Sequence, residues 1–151
     1  MRFIFVDRVV DLTPGKSIHT VKNVAASEDY FADHFPGMPV MPGALILECF
    51  IQSAMLMLGA VDEFASRPTV RRIGRAAFKH VVRPGDRLTV RCESDARWVV
   101  QARATVDDRM VATATMEFER EPALPADNPL RVLYEMLRRD PNEVAAGVSN
   151  A

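Results

Sequence analysis

The sequence is short of most things that would place it outside the ordinary globular class. It has two cysteines, Cys49 and Cys92, in 151 residues. Two cannot build a disulfide framework, and their separation is not that of a metal site. One tryptophan and an aromatic share of 7% leave little for a base-stacking surface. Neither sign of charge dominates, with 19 basic against 20 acidic side chains and a net charge of −1. A chain that lives on phosphate backbones is normally far more basic, so nucleic acid is not an expected partner. The opening apolar run, Phe3-Ile4-Phe5-Val6, stops at Asp7, too short for a secretion signal. No apolar stretch reaches the length of a membrane span without a polar interruption, so membrane insertion is not expected. What remains is a soluble, cytoplasmic, single-domain chain, long enough to bury roughly 68–70% of its unfolded surface.

The near-neutral total hides an uneven distribution. Residues 1–66 carry 4 basic and 8 acidic side chains, residues 110–151 carry 4 and 7, and residues 67–109 carry 11 and 5. The middle segment is therefore +6. That excess reads either as solvated strand faces or as a patch that attracts an acidic partner.

Along the chain, Val6, Val9, Val10 and Leu12 precede Pro14-Gly15, and Ile18, Thr20 and Val21 follow it, the pattern of a strand pair. Ser27-Glu28-Asp29 has the look of a helix start that Pro36-Gly37 cuts short. A loop stiffened by Pro36, Pro39 and Pro42 follows. Then 12 of the 15 residues from Ala44 to Leu58 are apolar, a helix expected to be buried all round. From Arg67 onward the period changes to two. Leu88, Val90 and Cys92 alternate, then Trp98, Val100, Ala102, Ala104 and Val106, then Met110, Ala112, Ala114, Met116 and Phe118. Pro84-Gly85-Asp86 and Asp107-Asp108-Arg109 supply turns. The expectation is an α+β fold in which a meander of long antiparallel strands wraps the one buried helix. The domain is expected over residues 1–120. Residues 121–151 read as an extension: a linker at Glu121-Pro122-Ala123-Leu124-Pro125, a short amphipathic helix from Leu130 to Arg138, and a disordered end after Pro141.

Glu48 is the most informative single residue. A carboxylate in the middle of an apolar helix is costly to bury as an ion, and burial favours the proton-bearing form, as a general acid requires. Gln52 lies on the same helix face and could orient it; a purely structural Glu48 satisfied by Gln52 is the alternative. His34 stands at the entrance to the stiff loop, where rigid scaffolding suits a catalytic base. His19 and His80 read as structural or exposed. Gly43 falls at the helix start, where free backbone N–H groups and the helix dipole can receive developing negative charge. A base, an acid and an oxyanion site together point to enolate-type chemistry beside a carbonyl. No second His or Cys at ligand spacing suggests a metal.

The stretch His34-Phe35-Pro36-Gly37-Met38-Pro39-Val40-Met41-Pro42-Gly43-Ala44-Leu45-Ile46-Leu47-Glu48, followed by Gln52, resembles the active-site motif of the (3R)-hydroxyacyl-[acyl carrier protein] dehydratases of dissociated fatty-acid synthesis. Val6-Asp7-Arg8-Val9, Val21-Lys22-Asn23-Val24, Ala77-Phe78-Lys79 and Pro84-Gly85-Asp86 agree with it. The likeness runs from about residue 4 to residue 120. It implies the hot-dog fold and a homodimer, in places a trimer of dimers, whose sites pair His34 of one protomer with Glu48 of the other. It further implies that His34 removes the α-proton, Glu48 protonates the leaving hydroxyl and the Gly43 N–H holds the thioester carbonyl. No cofactor is implied beyond the phosphopantetheine arm that brings the substrate. The acidic carrier protein gives the +6 segment a purpose, with Arg71, Arg72 and Arg75 as the nominated contacts. Glu48, rather than the Asp of the isomerising branch, favours plain dehydration. Arg71-Arg72 stand where apolar or aromatic residues are expected near the acyl tunnel, and Cys49, Phe50 and Ser53 replace smaller residues. These departures leave chain length and pathway open, a polyketide or polyene route included. A hot-dog thioesterase and a non-catalytic carrier-binding subunit are the competing expectations.

Overall fold

The period-two segments become a six-stranded, wholly antiparallel sheet in the computed structural model, which describes residues 3–122 and 129–138. β1 (Arg8–Thr13) and β2 (Ser17–Asn23) form the first hairpin. It turns through Pro14-Gly15, where Gly15 takes φ 69°, a left-handed conformation open to glycine at little cost. β4 (Arg87–Ser94), β5 (Val99–Val106) and β6 (Arg109–Pro122) form the meander. Asp107 and Asp108 both have positive φ, as a tight two-residue hairpin turn requires.

The alternating residues point inward together. Leu88, Val90, Cys92, Val100, Ala102, Ala104, Ala112, Ala114, Met116 and Phe118 are all buried, and they face α1 (Gly43–Gly59). Four of them are alanines on neighbouring strands, whose small side chains let the helix lie close and the sheet curl round it. Phe50, Leu56, Met57 and Leu58 of α1 are fully enclosed, and each such side chain contributes about 1.5–3 kcal/mol over leaving it in water. This is the hot-dog arrangement, an α+β fold.

Four expectations change on contact with the structure. The strand after the helix, β3 (Ser66–Phe78), does not lead the meander; the sheet order is β1-β2-β4-β5-β6-β3, so β3 pairs with β6 at the far edge while β4 pairs with β2. Helix α1 is not buried all round. Ala44, Leu45, Leu47, Glu48, Ile51, Gln52 and Met55 are exposed or half-buried, because a sheet covers only the side of the helix it wraps. Trp98 precedes β5 in a turn, at φ 59°, instead of continuing the strand. The segment at Glu28 makes only a three-residue 3-10 turn, Asp29–Phe31, with no side-chain cap.

By length and composition Gly43–Asp62 is apolar enough to cross a bilayer, but 56% of its 18-residue apolar window is buried inside the domain. In the extension, α2 (Pro129–Arg138) forms where an amphipathic helix is expected; it buries Leu137 and sets the Tyr134 ring 5.1 Å from that of Phe64. The linker residues Ala123, Leu124 and Pro125 and the expected disordered end after Pro141 lie outside the described residues.

Candidate active site

His34 is held at three points. Its N–H donates to the Tyr30 carbonyl at 3.0 Å, and its own carbonyl accepts from Val40 N–H at 2.9 Å. Its ring Nδ1 lies 2.7 Å from the Val40 carbonyl oxygen. A carbonyl can only accept, so Nδ1 carries the hydrogen and the neutral ring keeps a bare lone pair on Nε2. The loop between the two residues closes on itself, with Met38 N–H donating to the Phe35 carbonyl at 3.0 Å. Met41 N–H ties its far end to the Val82 carbonyl at 2.8 Å. The His34–Phe35 peptide is cis, and the two rings stack at 4.2 Å.

Glu48 sits half-buried on the uncovered side of α1, so the expectation of a fully buried carboxylate does not hold. Its Oε1 accepts from Gln52 Nε2 at 2.7 Å. The direction of that bond follows from the backbone. Phe5 N–H can only donate and meets Gln52 Oε1 at 2.8 Å; the Phe3 carbonyl can only accept and meets Gln52 Nε2 at 2.9 Å. The amide therefore turns its NH₂ toward Glu48 and leaves the other carboxyl oxygen free. The structure brings Glu48 and Gln52 together; within one chain the hydrogen bonds of His34 and those of Glu48 do not meet.

Gly43 opens α1 directly after Pro42, which offers no side-chain cap. Among the described residues its N–H has no acceptor, as expected of the first turn of a helix. A Cβ at this position would lie 3.0 Å from the Phe78 ring, so the absence of a side chain lets Phe78 of β3 rest against the helix start. A hollow of about 770 Å³ beside the His34 loop is lined by Phe31, Phe35, Pro39 and Pro84, without Glu48.

The arginines nominated for a carrier contact part company. Arg72 is paired with Glu117 across β3 and β6, which raises the Arg72 pKa and lowers that of Glu117. Arg71 is exposed and unpaired among the described residues. Arg75 lines a groove of about 580 Å³ on the outer face of the sheet with Lys79, Arg91 and Arg103. His19 lies on β2 opposite Arg91; burial first, and then the Arg91 charge, lowers its pKa. His80 is exposed beside Arg109. Both thiols are enclosed, and burial pushes Cys49 up to about 12 and Cys92 higher still. Neither is a nucleophile at neutral pH. Among the described residues no three His, Cys, Asp or Glu stand close enough to hold a metal ion.

Sequence reasoning missed the backbone partners: the Val40 carbonyl, Phe3 and Phe5. No residue type marks them, since any side chain can stand on those peptide groups. It also passed over Lys22, whose burial an apolar-pattern reading does not reveal.

Comparison with solved structures shows the fold to be an established one. The chain is similar to the dehydratase heterocomplex ApeI:P from Xenorhabdus doucetiae (TM-score 0.63, 16% identity, 78% of this chain and 98% of that one). It is also similar to the uncharacterized protein PH1136 from Pyrococcus horikoshii (TM-score 0.60, 14% identity, 83% and 88%). At those identities the likeness concerns the fold alone. Residues 1–115 match the FabA-like domain, and the chain belongs to that family. Among its relatives are proteins named 3-hydroxyacyl-[acyl-carrier-protein] dehydratase FabZ. That of Dechloromonas aromatica is 43% identical over 122 residues, 76% of this chain and 85% of the relative. That of Chloroflexus aggregans is 44% identical over 121 residues, 77% and 84%.

Proposed function

We propose that this chain is a 3-hydroxyacyl-[acyl-carrier-protein] dehydratase of fatty-acid biosynthesis or a related pathway, a hydro-lyase acting in the cytoplasm. The observation that carries the reading is the Nδ1–Val40 lock on His34, in a chain with FabZ relatives at 43% identity over most of its length. With Nδ1–H committed, Nε2 takes the α-proton of a (3R)-3-hydroxyacyl thioester. The electron pair rests on the thioester carbonyl oxygen as an enolate, then returns to form the Cα–Cβ double bond as the Cβ–O bond breaks. Glu48 gives its proton to the departing hydroxyl, so one water leaves and a trans-2-enoyl thioester remains. Passing the proton from His34 back to Glu48 resets the site. The free N–H of Gly43 at the positive end of α1 stabilises the enolate oxygen formed on the way. The phosphopantetheine arm of the carrier brings the substrate, and the residues named supply all the acid–base chemistry without a further cofactor.

A homodimer is part of the reading. The uncovered side of α1 and the exposed Phe35, Met38, Ile73, Phe78 and Val81 offer apolar surface that a second copy can cover. That copy would bring His34 of one protomer to Glu48 of the other. Carrier contact falls to Arg71 and Arg75, with Arg72 committed to Glu117.

The test is to mix the purified protein with (3R)-3-hydroxyacyl carrier proteins of short, medium and long chain and follow water loss by mass spectrometry. His34→Ala and Glu48→Gln are expected to lower turnover about a thousandfold each, the usual scale for a general base or acid. No water loss at any length from a folded dimer would overturn the reading in favour of a carrier-binding subunit. Release of free acid would identify a thioesterase.

A further inference from the structure

Lys22 of β2 is a lysine almost out of water, its side chain 8% exposed. Such burial is rare for an ammonium unless it is paired. Its Nζ meets Glu28 Oε1 at 2.7 Å and the Asp7 carboxylate at 3.5 Å, and it stands 5.9 Å from the centre of the Phe5 ring. Burial by itself pulls this amine toward the neutral form. The hydrogen bond that Lys22 donates to Glu28, with the Asp7 and Glu28 charges, outweighs that and holds Lys22 above the ordinary lysine value. Asp7 is fixed in turn, since its second oxygen accepts Asn23 N–H at 2.7 Å.

Glu28 is where this cluster reaches the site. It caps the 3-10 turn Asp29–Phe31 through its backbone alone, its carbonyl accepting Phe31 N–H at 3.1 Å. The carbonyl of the next residue but one, Tyr30, receives the N–H of His34. The rest of the turn is held by backbone and packing: Glu28 N–H donates to the Ala25 carbonyl at 3.2 Å, and the half-buried Tyr30 ring lies against the core. No side-chain cap bond forms, and among the described residues the buried Tyr30 hydroxyl has no hydrogen-bond partner. Phe31 and Tyr30 pack against the core, and among the described residues the Lys22–Glu28 pair is the ion pair that joins β2 to the segment that delivers His34.

We infer that Lys22, through its ion pair with Glu28, is a positioning residue for His34: it pins the turn from which the histidine ring is aimed. The inference rests on His34 being the base proposed above. A shift of about 1 Å at a reacting group costs on the order of a hundredfold in rate, so loosening the turn has a measurable cost.

Glu28→Gln in the full chain keeps the shape and removes the charge; Lys22→Met removes the other partner. Two readouts are taken, steady-state kinetics on a (3R)-3-hydroxyacyl carrier thioester and the hydrogen-bonded Nδ1–H signal of His34 in ¹H–¹⁵N spectra. Glu28→Gln is expected to lower kcat about tenfold with KM within about twofold, and to broaden or abolish the His34 signal. Lys22→Met is expected to do more; should it fail to fold, Glu28→Gln decides alone. Wild-type kcat with an unchanged signal in Glu28→Gln overturns the inference. So does a loss of rate with the signal intact, which is what a merely structural role produces. If His34→Ala keeps full activity, the base assignment fails instead, and the spectra still report whether the pair holds the ring.

Discussion

On the helix side of the sheet, polar side chains meet partners that cannot turn away. His34 meets the Val40 carbonyl, and Gln52 meets the peptide groups of Phe3 and Phe5. On the outer face, Arg103 and Glu93 meet at 3.2 Å with side chains 49% and 63% exposed. There, water and neighbouring ions stand ready to replace either partner. The contrast separates order from charge. The +6 segment holds most of the arginines, yet its outer-face side chains are tuned by mobile, screened contacts. The site has few titratable groups: backbone orients His34 directly and Glu48 through Gln52. Backbone partners give direction because their position is set by the fold, whereas a pair of long side chains must also order itself.

The largest test of that contrast is Gln52→Ala. It leaves Phe5 N–H without its partner and frees the Glu48 carboxyl to rotate. Stability is expected to fall by about 1–3 kcal/mol, and kcat by about ten- to a hundredfold, read by urea unfolding and steady-state kinetics. Unchanged values would put Gln52 in the same class as the outer-face residues.

The buried thiols sharpen the contrast at intermediate size. Cys49 and Cys92 are expected to resist iodoacetamide at pH 8 in the folded protein and to react in urea, checked by mass spectrometry. Below the ordinary thiol value near 9, folded and unfolded chains both keep these protons, and nothing is gained or lost. Between about 9 and 12, only the unfolded chain releases the Cys49 proton, so stability drops as pH rises through that window. A flat alkaline limb in denaturation curves would count against that burial.

The smallest expected effect is on the outer face. Arg103→Ala removes the pair with Glu93 and is expected to leave the melting temperature and kcat where they were, by scanning calorimetry and turnover assay. A clear loss would mean that the exposed pairs are ordered after all.

Much of the architecture is legible in the sequence for a physical reason. The run from Ala44 to Leu58 is apolar enough to mark the helix that the sheet packs on, and Leu88, Val90 and Cys92 can share a face only in a strand. The edge position of β3 is not legible, since pairing with β6 rather than β4 depends on how the chain passes the helix. The open side of α1 is hidden too, because Leu45, Ile51 and Met55 are as apolar as the residues facing the sheet. His34, Glu48 and Gly43 stand out by residue type and spacing. What orients them, the Val40 carbonyl and the peptide groups of Phe3 and Phe5, has no letter of its own. Lys22 has a letter, but only its three-dimensional company shows the pair it makes with Glu28.

Strand β3 carries one further consequence. It ends the sheet, two bulges interrupt its pairing with β6, and Ile73 and Phe78 lie open to water. A lone copy thus presents unpaired backbone beside apolar side chains, a template for strand addition. For the proposed homodimer, dilution is then a hazard rather than a neutral change of scale. In the proposed homodimer, survival as well as turnover at low concentration depends on how fast that edge is covered again.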